Sequence, residues 1–308
     1  MPDCFLLPVL GNQNERDSTT TGDPLSQDGA RLNILSWNIG LLPYIDFFSE
    51  GLDRAAFIAY ELSSSEYDVI VFQEVFSAGA RKILKKNLTE KYPFMYGPFN
   101  RSGTTLKFSS GLLVFSKIPL SIIREIEFGV ASGFDCLARK GAVLLEGKIF
   151  QTKFHLIATH LQDDVYPQSI REKQLLEIYS ALILPYSDPS IPQLICGDFN
   201  TNARQTENYQ GMLTLLDAQD GLLSGPLQIT FDDESNDIRK TTNRNPRLID
   251  YILARNTRLI SRISRKVSVV KAKWAKNRYN LSDHHGVEAV VIFREPQYLT
   301  SESPVIQN

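Results

Sequence analysis

Short apolar runs recur along the chain and are separated by polar segments rich in turn-forming residues. Runs of about four to eight residues with many Val, Ile, Leu and Phe are typical of buried β-strands. The runs that predict strands are residues 32–37, 69–72, 112–115, 142–145, 154–159, 193–196, 248–253 and 287–293.

Four other segments space their apolar residues three or four apart, which predicts amphipathic helices. They cover residues 53–64, 78–91, 168–184 and 206–216. The second ends before Tyr92-Pro93, where proline disfavours helical geometry in the preceding residue. Because strands and helices are interspersed, the class is mixed α and β. The pattern alone leaves open one doubly wound sheet or two packed sheets.

The chain has 308 residues, enough for one large domain or two small ones. We expect residues 1–31 to be a flexible lead-in, residues 32–294 to form one domain, and residues 295–308 to form a tail. The polar composition of the two ends supports this division, and no repeat or linker interrupts the middle of the chain.

The charge balance argues against a nucleic-acid partner. There are 33 basic and 35 acidic residues, a formal charge of −2, whereas proteins that bind duplex nucleic acid usually carry a basic excess. The three cysteines, Cys4, Cys136 and Cys196, have no paired spacing, which argues against a disulfide framework.

The pattern of apolar residues also predicts where the protein is located. Residues 5–10 are apolar but too short for a typical signal-peptide core, and no stretch predicts a transmembrane helix. We therefore expect a cytoplasmic or non-classically exported protein whose membrane contact is peripheral. We also expect a monomer.

Polar residues suited to catalysis follow the predicted strands, where α/β folds place their active sites. Each alone has a structural interpretation, as a turn former or a hydrogen-bonding residue. Together they supply carboxylates for a hard cation, amides and two histidines, which suits metal-assisted attack on a phosphodiester. The set is Asn38, Glu74, His160, Asp198, Asn200, Asp250, Asp283 and His284.

Six motifs around these residues match, in order, the signatures of the endonuclease/exonuclease/phosphatase superfamily. They are Ser-Trp-Asn38, Phe-Gln-Glu74, Ala-Thr-His160-Leu, Gly-Asp198-Phe-Asn200, Ile-Asp250-Tyr and Ser-Asp283-His284. The resemblance extends from Leu32 to Phe293. It implies an α+β fold, the four-layer α/β/β/α sandwich of DNase I-like proteins, with residues 32–294 as the catalytic domain.

The same resemblance implies a role for each residue. Glu74 is the principal Mg²⁺ ligand, Asn38 lies beside the ion, and Asp283 tunes the metal site. His284 is the general base that takes a proton from the attacking water. Asp250 holds the imidazole of His284 in the useful tautomer, as carboxylate partners do elsewhere.

Three further residues act on the phosphate, by the same resemblance. Asp198 and Asn200 position the water and the phosphoryl oxygens, and His160 donates to a phosphate oxygen. The segment with Asp135 and Lys140 resembles neutral sphingomyelinases, in which such a pair acts as a switch near the active site. This implies hydrolysis of sphingomyelin to ceramide and phosphocholine; the alternative is a surface loop with one acid and one base.

Residues 267–280 hold Trp274 among four basic residues, just before the Ser-Asp283-His284 motif. Bacterial sphingomyelinases carry an aromatic-tipped hairpin at this place that enters the lipid interface. The resemblance therefore implies membrane contact by Trp274, since Trp with flanking Lys suits a headgroup layer. Packing of the indole on the sandwich is the alternative.

Other functions on the same scaffold stay open at this point. A nuclease or another phosphodiesterase ranks second, and a phosphoinositide phosphatase third, because that group carries Asp-Arg where this chain has Asp250-Tyr251. A non-catalytic membrane-binding module is disfavoured because Glu74, Asn200 and His284 are all present.

Overall fold

The computed structural model describes residues 30–42, 50–101, 107–232, 236–238 and 246–294. The strands in these residues are β1 (Ala30–Leu41), β2 (Val69–Val75), β3 (Phe94–Tyr96), β4 (Leu113–Ser116), β5 (Leu120–Glu127), β6 (Gly141–Ile149), β7 (Thr152–His160), β8 (Gln193–Asp198), β9 (Gln219–Asp220), β10 (Leu222–Ser224), β11 (Asp250–Arg255), β12 (Ile260–Ser268), β13 (Lys271–Ala275), β14 (Arg278–Asn280) and β15 (Gly286–Phe293). The α-helices are α1 (Glu50–Ser63), α2 (Ala78–Leu88), α3 (Gln168–Ile178) and α4 (Thr206–Leu216).

The strands form two large sheets and one small one. The first has the order β10-β12-β15-β1-β2-β4-β3, and the second has the order β5-β6-β7-β8-β11-β9. β13 and β14 pair as a separate two-stranded hairpin. Both large sheets are mixed: β1 and β2 run parallel in the first, as do β7 and β8 in the second.

Helices cover the outer face of each sheet, and a shared core fills the space between the sheets. Ile34 and Val71 of the first sheet belong to one buried cluster with Leu156 and Ile252 of the second. A second cluster joins the first sheet to α1 and α2, and a third joins the second sheet to α3 and α4. Central strands therefore bury both faces, which explains their continuous apolar runs. The four-layer α/β/β/α sandwich is confirmed.

The third predicted helix is shorter than residues 168–184. Its α-helical part ends at Ile178, and a π-helical turn (Tyr179–Ile183) and a 3₁₀ turn (Leu184–Tyr186) follow. Pro185 explains the change, because proline lacks the amide hydrogen and its ring clashes with the carbonyl four residues earlier. No described helix is long and apolar enough to cross a membrane.

Several strands gave no clear signal in the sequence, among them β5 and β12. β5 lies at an edge of the second sheet, and six of its eight residues are exposed. Edge strands carry charged and polar side chains that interrupt the apolar run. β1 begins at Ala30, two residues before the predicted boundary. Residues 1–29, including Cys4, and the predicted tail 295–308 lie outside the described residues.

The register of the strands brings their polar ends together. His160 at the end of β7 lies opposite Asp198 at the end of β8, and Asp198 lies opposite Asp250 at the start of β11. In the first sheet, Asn38 of β1 lies opposite Gln73, the residue before Glu74 in β2. The catalytic motifs therefore meet at one end of the sandwich.

Candidate active site

The strand ends open into one cavity of about 810 Å³. Its lining includes most of the predicted site residues, namely Glu74, Asp135, Lys140, His160, Asp198, Asn200, Asp283 and His284. Asn38 and Asp250 are buried behind this lining and hydrogen bond to it. The structure thus gathers residues that are up to 246 positions apart in the chain, from Asn38 to His284.

His284 and Asp250 form a buried hydrogen-bonded pair. The Nδ1 of His284 lies 2.9 Å from the Asp250 carboxylate, which leaves Nε2 facing the cavity if Nδ1 donates. The backbone carbonyl of His284 accepts from the Trp37 indole at 2.9 Å, and the Phe231 ring packs edge-on against the imidazole. These contacts fix the position and orientation of the ring.

The carboxylates around His284 strengthen it as a base. Burial by itself lowers the pKa of the imidazole, but the charges of Asp250 and Asp198 outweigh burial and raise that pKa to about 10. Burial, followed by the charge of Asp250, raises the pKa of the Asp198 carboxyl to about 8. An imidazole with this pKa holds its proton at neutral pH, and it acts as a base only from its neutral form.

Glu74 and Asp283 present two carboxylates to the same cavity. Glu74 keeps 24% of its side chain exposed there, and its backbone adopts a left-handed φ of 60°. Burial and the nearby charge of Asp283 raise the pKa of Glu74. One or two carboxylates completed by water is the donor set that Mg²⁺ prefers. The residues present therefore fit a magnesium ion.

Asn38 contacts the predicted metal site through its amide nitrogen. Its Nδ2 lies 3.2 Å from Glu74 and 3.1 Å from Asp198, and its Oδ1 accepts from the Gly40 amide. In this orientation the NH₂ group donates to both carboxylates and holds them in place. The assignment of nitrogen and oxygen follows the hydrogen-bond network.

A second group of possible ligands lies deeper in the site. Oxygen or nitrogen atoms of Asp198, Asp250 and His284 lie within 4.8 Å of one another. Asp198 also accepts from the Asn200 amide at 2.9 Å, and the Asn200 side chain donates to Leu161. Asp250 and His284 hydrogen bond to each other, and the other carboxylate oxygen of Asp250 is buried with no hydrogen-bond partner among the described residues.

Lys140 links the loop of Asp135 to the catalytic residues. Its buried ammonium lies 2.9 Å from Asp135, 3.1 Å from Nε2 of His160 and 2.9 Å from the Leu161 carbonyl. Burial and then the charges of Lys140 and His284 hold the pKa of His160 well below its usual value. Since an ammonium is only a donor, Nε2 of His160 is an acceptor here. In this hydrogen bond Lys140 is the donor and His160 is the acceptor.

Trp274 is not an exposed membrane contact. Its side chain is 8% exposed, and its indole donates to the Asn280 carbonyl at 2.7 Å within the β13–β14 hairpin. It packs with the buried cluster of the first sheet and α1. The structure therefore supports the alternative of an indole packed on the sandwich, because Trp274 shares a buried cluster with the first sheet.

Comparison with known proteins agrees with this geometry. The profile of the Endonuclease/Exonuclease/phosphatase family matches residues 35–284. The chain belongs to this family. The matched segment includes every residue that lines the cavity, so the family assignment and the site refer to the same part of the chain.

Individual relatives extend the comparison. A sphingomyelinase C of Bacillus cereus is 30% identical over 277 residues, covering 78% of this chain and 82% of that protein. A phospholipase C of Staphylococcus aureus is 27% identical over 246 residues, covering 73% and 74%. A crystal structure of a Staphylococcus aureus beta toxin mutant with bound magnesium ions superposes with a TM-score of 0.75 at 26% identity, covering 86% and 100%.

Sequence reasoning missed Arg54 in α1, which also lines the cavity of this protein. Its buried guanidinium donates to the carbonyls of Ile39, Gly40 and Leu281, and it lines the cavity. A usable signal existed: Arg54 falls on the apolar face of α1, with Ala55 and Ile58. A charged residue on a buried helix face needs partners, so its position alone indicates a structural or functional role.

Proposed function

We propose that this protein is a magnesium-dependent phosphodiesterase that hydrolyses sphingomyelin to ceramide and phosphocholine. The observation that carries the proposal is that Glu74 and the Asp250–His284 pair open into one cavity. The named relatives support the substrate, and the bound magnesium in the beta toxin structure supports the ion. We also propose a monomer that contacts membranes peripherally.

His284 starts the reaction by removing a proton from water at its Nε2, while Asp250 keeps Nδ1 engaged. The water oxygen bonds to phosphorus, and the bond from phosphorus to the ceramide oxygen breaks. The ceramide oxygen leaves with the electron pair of that bond and then takes up a proton, so one water is consumed for each ceramide and phosphocholine released.

The remaining residues hold the phosphate in place. Lys140, whose ammonium lines the cavity beside His160, places a positive charge near the phosphoryl oxygens, and Asn200 orients the water. A Mg²⁺ ion held by Glu74, with Asp283 beside it, would screen the phosphate charge and stabilise the leaving alkoxide. Asp198 and Asn38 keep Glu74 and His284 correctly placed.

A substrate comparison tests the proposal. The protein is incubated with sphingomyelin, phosphatidylcholine, plasmid DNA and a phosphoinositide, each with Mg²⁺ and with EDTA. We expect release of phosphocholine from sphingomyelin in Mg²⁺ and none in EDTA. Cleavage of DNA alone would show that the protein is a nuclease. Hydrolysis in EDTA would contradict the magnesium dependence.

A further inference from the structure

Three large apolar side chains are exposed at the mouth of the active-site cavity. Phe108, Phe134 and Leu137 are 45%, 87% and 55% exposed, and all three line this cavity. We call them the apolar rim. Single exposed apolar residues are ordinary, but a group of them beside an active site marks a contact surface.

The apolar rim is displayed on an ordered backbone. The Phe108 amide donates to the Leu137 carbonyl at 2.8 Å, and the Arg139 amide donates to the Phe108 carbonyl at 2.9 Å. Asp135, between Phe134 and Leu137, pairs with Lys140 and accepts from the Asp163 amide. These contacts hold the turn from both sides. The side chains of Phe134 and Leu137 are therefore exposed on a fixed backbone.

A basic hairpin borders the same cavity. Trp274 and Arg278 of the β13–β14 hairpin line it together with the apolar rim. Side chains alternate along β13, so the inward position of Trp274 leaves Lys271 and Lys273 exposed, and Lys276 is exposed in the turn. Apolar side chains for insertion beside lysines for acidic headgroups form the composition of an interfacial membrane site.

We propose that the apolar rim and the basic hairpin dock the enzyme on a bilayer that contains anionic lipid. Phe134 and Leu137 enter the boundary between headgroups and acyl chains, and the lysines contact lipid phosphates and carboxylates. The inference rests on the proposed function, since docking there would turn the cavity mouth toward a membrane-held phosphodiester. In this proposal the apolar membrane contact is made by the turn that carries Asp135, and not by Trp274.

Vesicle flotation tests the apolar rim. The vesicles contain phosphatidylcholine and phosphatidylserine without sphingomyelin, in EDTA, so that turnover plays no part. Phe134→Ser with Leu137→Ser should bind at least about tenfold more weakly than the parent. The control is Tyr60→Ser with Leu176→Ser, two side chains of similar exposure, 73% and 56%, outside the cavity lining. We expect the control to bind like the parent.

If the rim variant bound like the parent, or if the control lost binding equally, the apolar rim would not be the membrane contact. A protein that binds these vesicles but does not hydrolyse sphingomyelin would instead overturn the proposed function alone. Melting temperatures of both variants check that the exposed substitutions leave the fold intact. Phe134→Trp adds a direct readout: its emission should shift to the blue on adding vesicles, whereas that of Tyr60→Trp should not.

Charge variants test the basic hairpin separately. Changing Lys271, Lys273 and Lys276 to Gln should weaken binding about tenfold or more on vesicles with phosphatidylserine, and little on phosphatidylcholine alone. The matched control changes Lys82, Lys85 and Lys86, the exposed lysines of α2, to Gln. Equal losses on both vesicle types, or equal losses in the two triple variants, would contradict an electrostatic contact by the hairpin.

Discussion

At the residue scale, the protein gives three buried histidines different proton affinities. Carboxylates surround His284 and raise its pKa, whereas burial and Lys140 lower that of His160. Burial also lowers the pKa of His155, in β7 outside the cavity. The surroundings therefore set His284 apart from the other two histidines, because a carboxylate holds one of its ring nitrogens and the ring lines the cavity.

Replacing the base tests this assignment. His284→Gln should lower turnover of sphingomyelin by at least about 10²–10⁴-fold, because no group then accepts the proton of water. The melting temperature should change little, since Gln can still donate to Asp250. His155→Gln, a second buried histidine, is the control and should keep turnover. Loss of stability with retained turnover would make His284 a structural residue.

Replacing the metal ligand tests the ion. Glu74→Gln should greatly weaken Mg²⁺ binding by calorimetry and nearly abolish turnover at ordinary Mg²⁺, because a neutral amide replaces the carboxylate. Glu146→Gln is the control, since Glu146 has a comparable side-chain exposure of 27% and lies outside the cavity lining. Unchanged binding and turnover in Glu74→Gln would place the ion elsewhere.

At the element scale, α1 holds two segments of the site together. Arg54 donates to Ile39 and Gly40 after the Asn38 position of β1, and to Leu281 just before Asp283. Gly40 has a left-handed φ of 54°, and an added Cβ would lie 3.1 Å from the Asp283 carboxylate. The close approach of these segments therefore depends on a small residue and on one guanidinium.

Removing the guanidinium of Arg54 should affect stability and catalysis together. Arg54→Met leaves three carbonyl groups without their donor and should cost about 3 kcal/mol or more of unfolding free energy. Turnover should also fall, with a higher Mg²⁺ requirement, because Asp283 loses its position. Arg255→Met, a buried arginine at the far end of β11, should cost stability but spare the Mg²⁺ requirement. Equal Mg²⁺ requirements in both variants would make Arg54 purely structural.

At the scale of the whole molecule, the active site joins the two sheets. Asp198 and Asp250 belong to the second sheet. Glu74 lies in β2 of the first sheet, and His284 precedes β15 of the same sheet. The Asp250–His284 hydrogen bond therefore crosses from one sheet to the other. The geometry of the base depends on the packing of the core between the sheets, not on either sheet alone.

Weakening the core between the sheets tests whether the active site depends on their packing. Leu156→Ala in β7 removes a buried side chain between the sheets and should cost about 2–5 kcal/mol in urea unfolding. Loss of activity and loss of circular dichroism should share one midpoint, because the sheets unfold together. Leu184→Ala is the control, as Leu184 is 59% exposed. Separate midpoints would indicate that the sheets unfold independently.

The sequence by itself determined the central strands and the mixed class, and it singled out candidate residues that line one cavity. Apolar runs such as residues 69–72 are local signals, because a strand buried on both faces must be apolar throughout. The ordered motifs around Glu74, Asp198 and His284 are local as well, so each could be recognised without knowing its neighbours in space.

Only the tertiary structure decided which side chains face water and which atoms meet. Trp274 and Phe134 are both aromatic residues near the site, yet one is packed inside and the other is 87% exposed. The donation from Lys140 to His160 and the three contacts of Arg54 join residues far apart in the chain. Burial and pairing depend on such distant neighbours, and the order of residues along a chain does not encode those contacts locally.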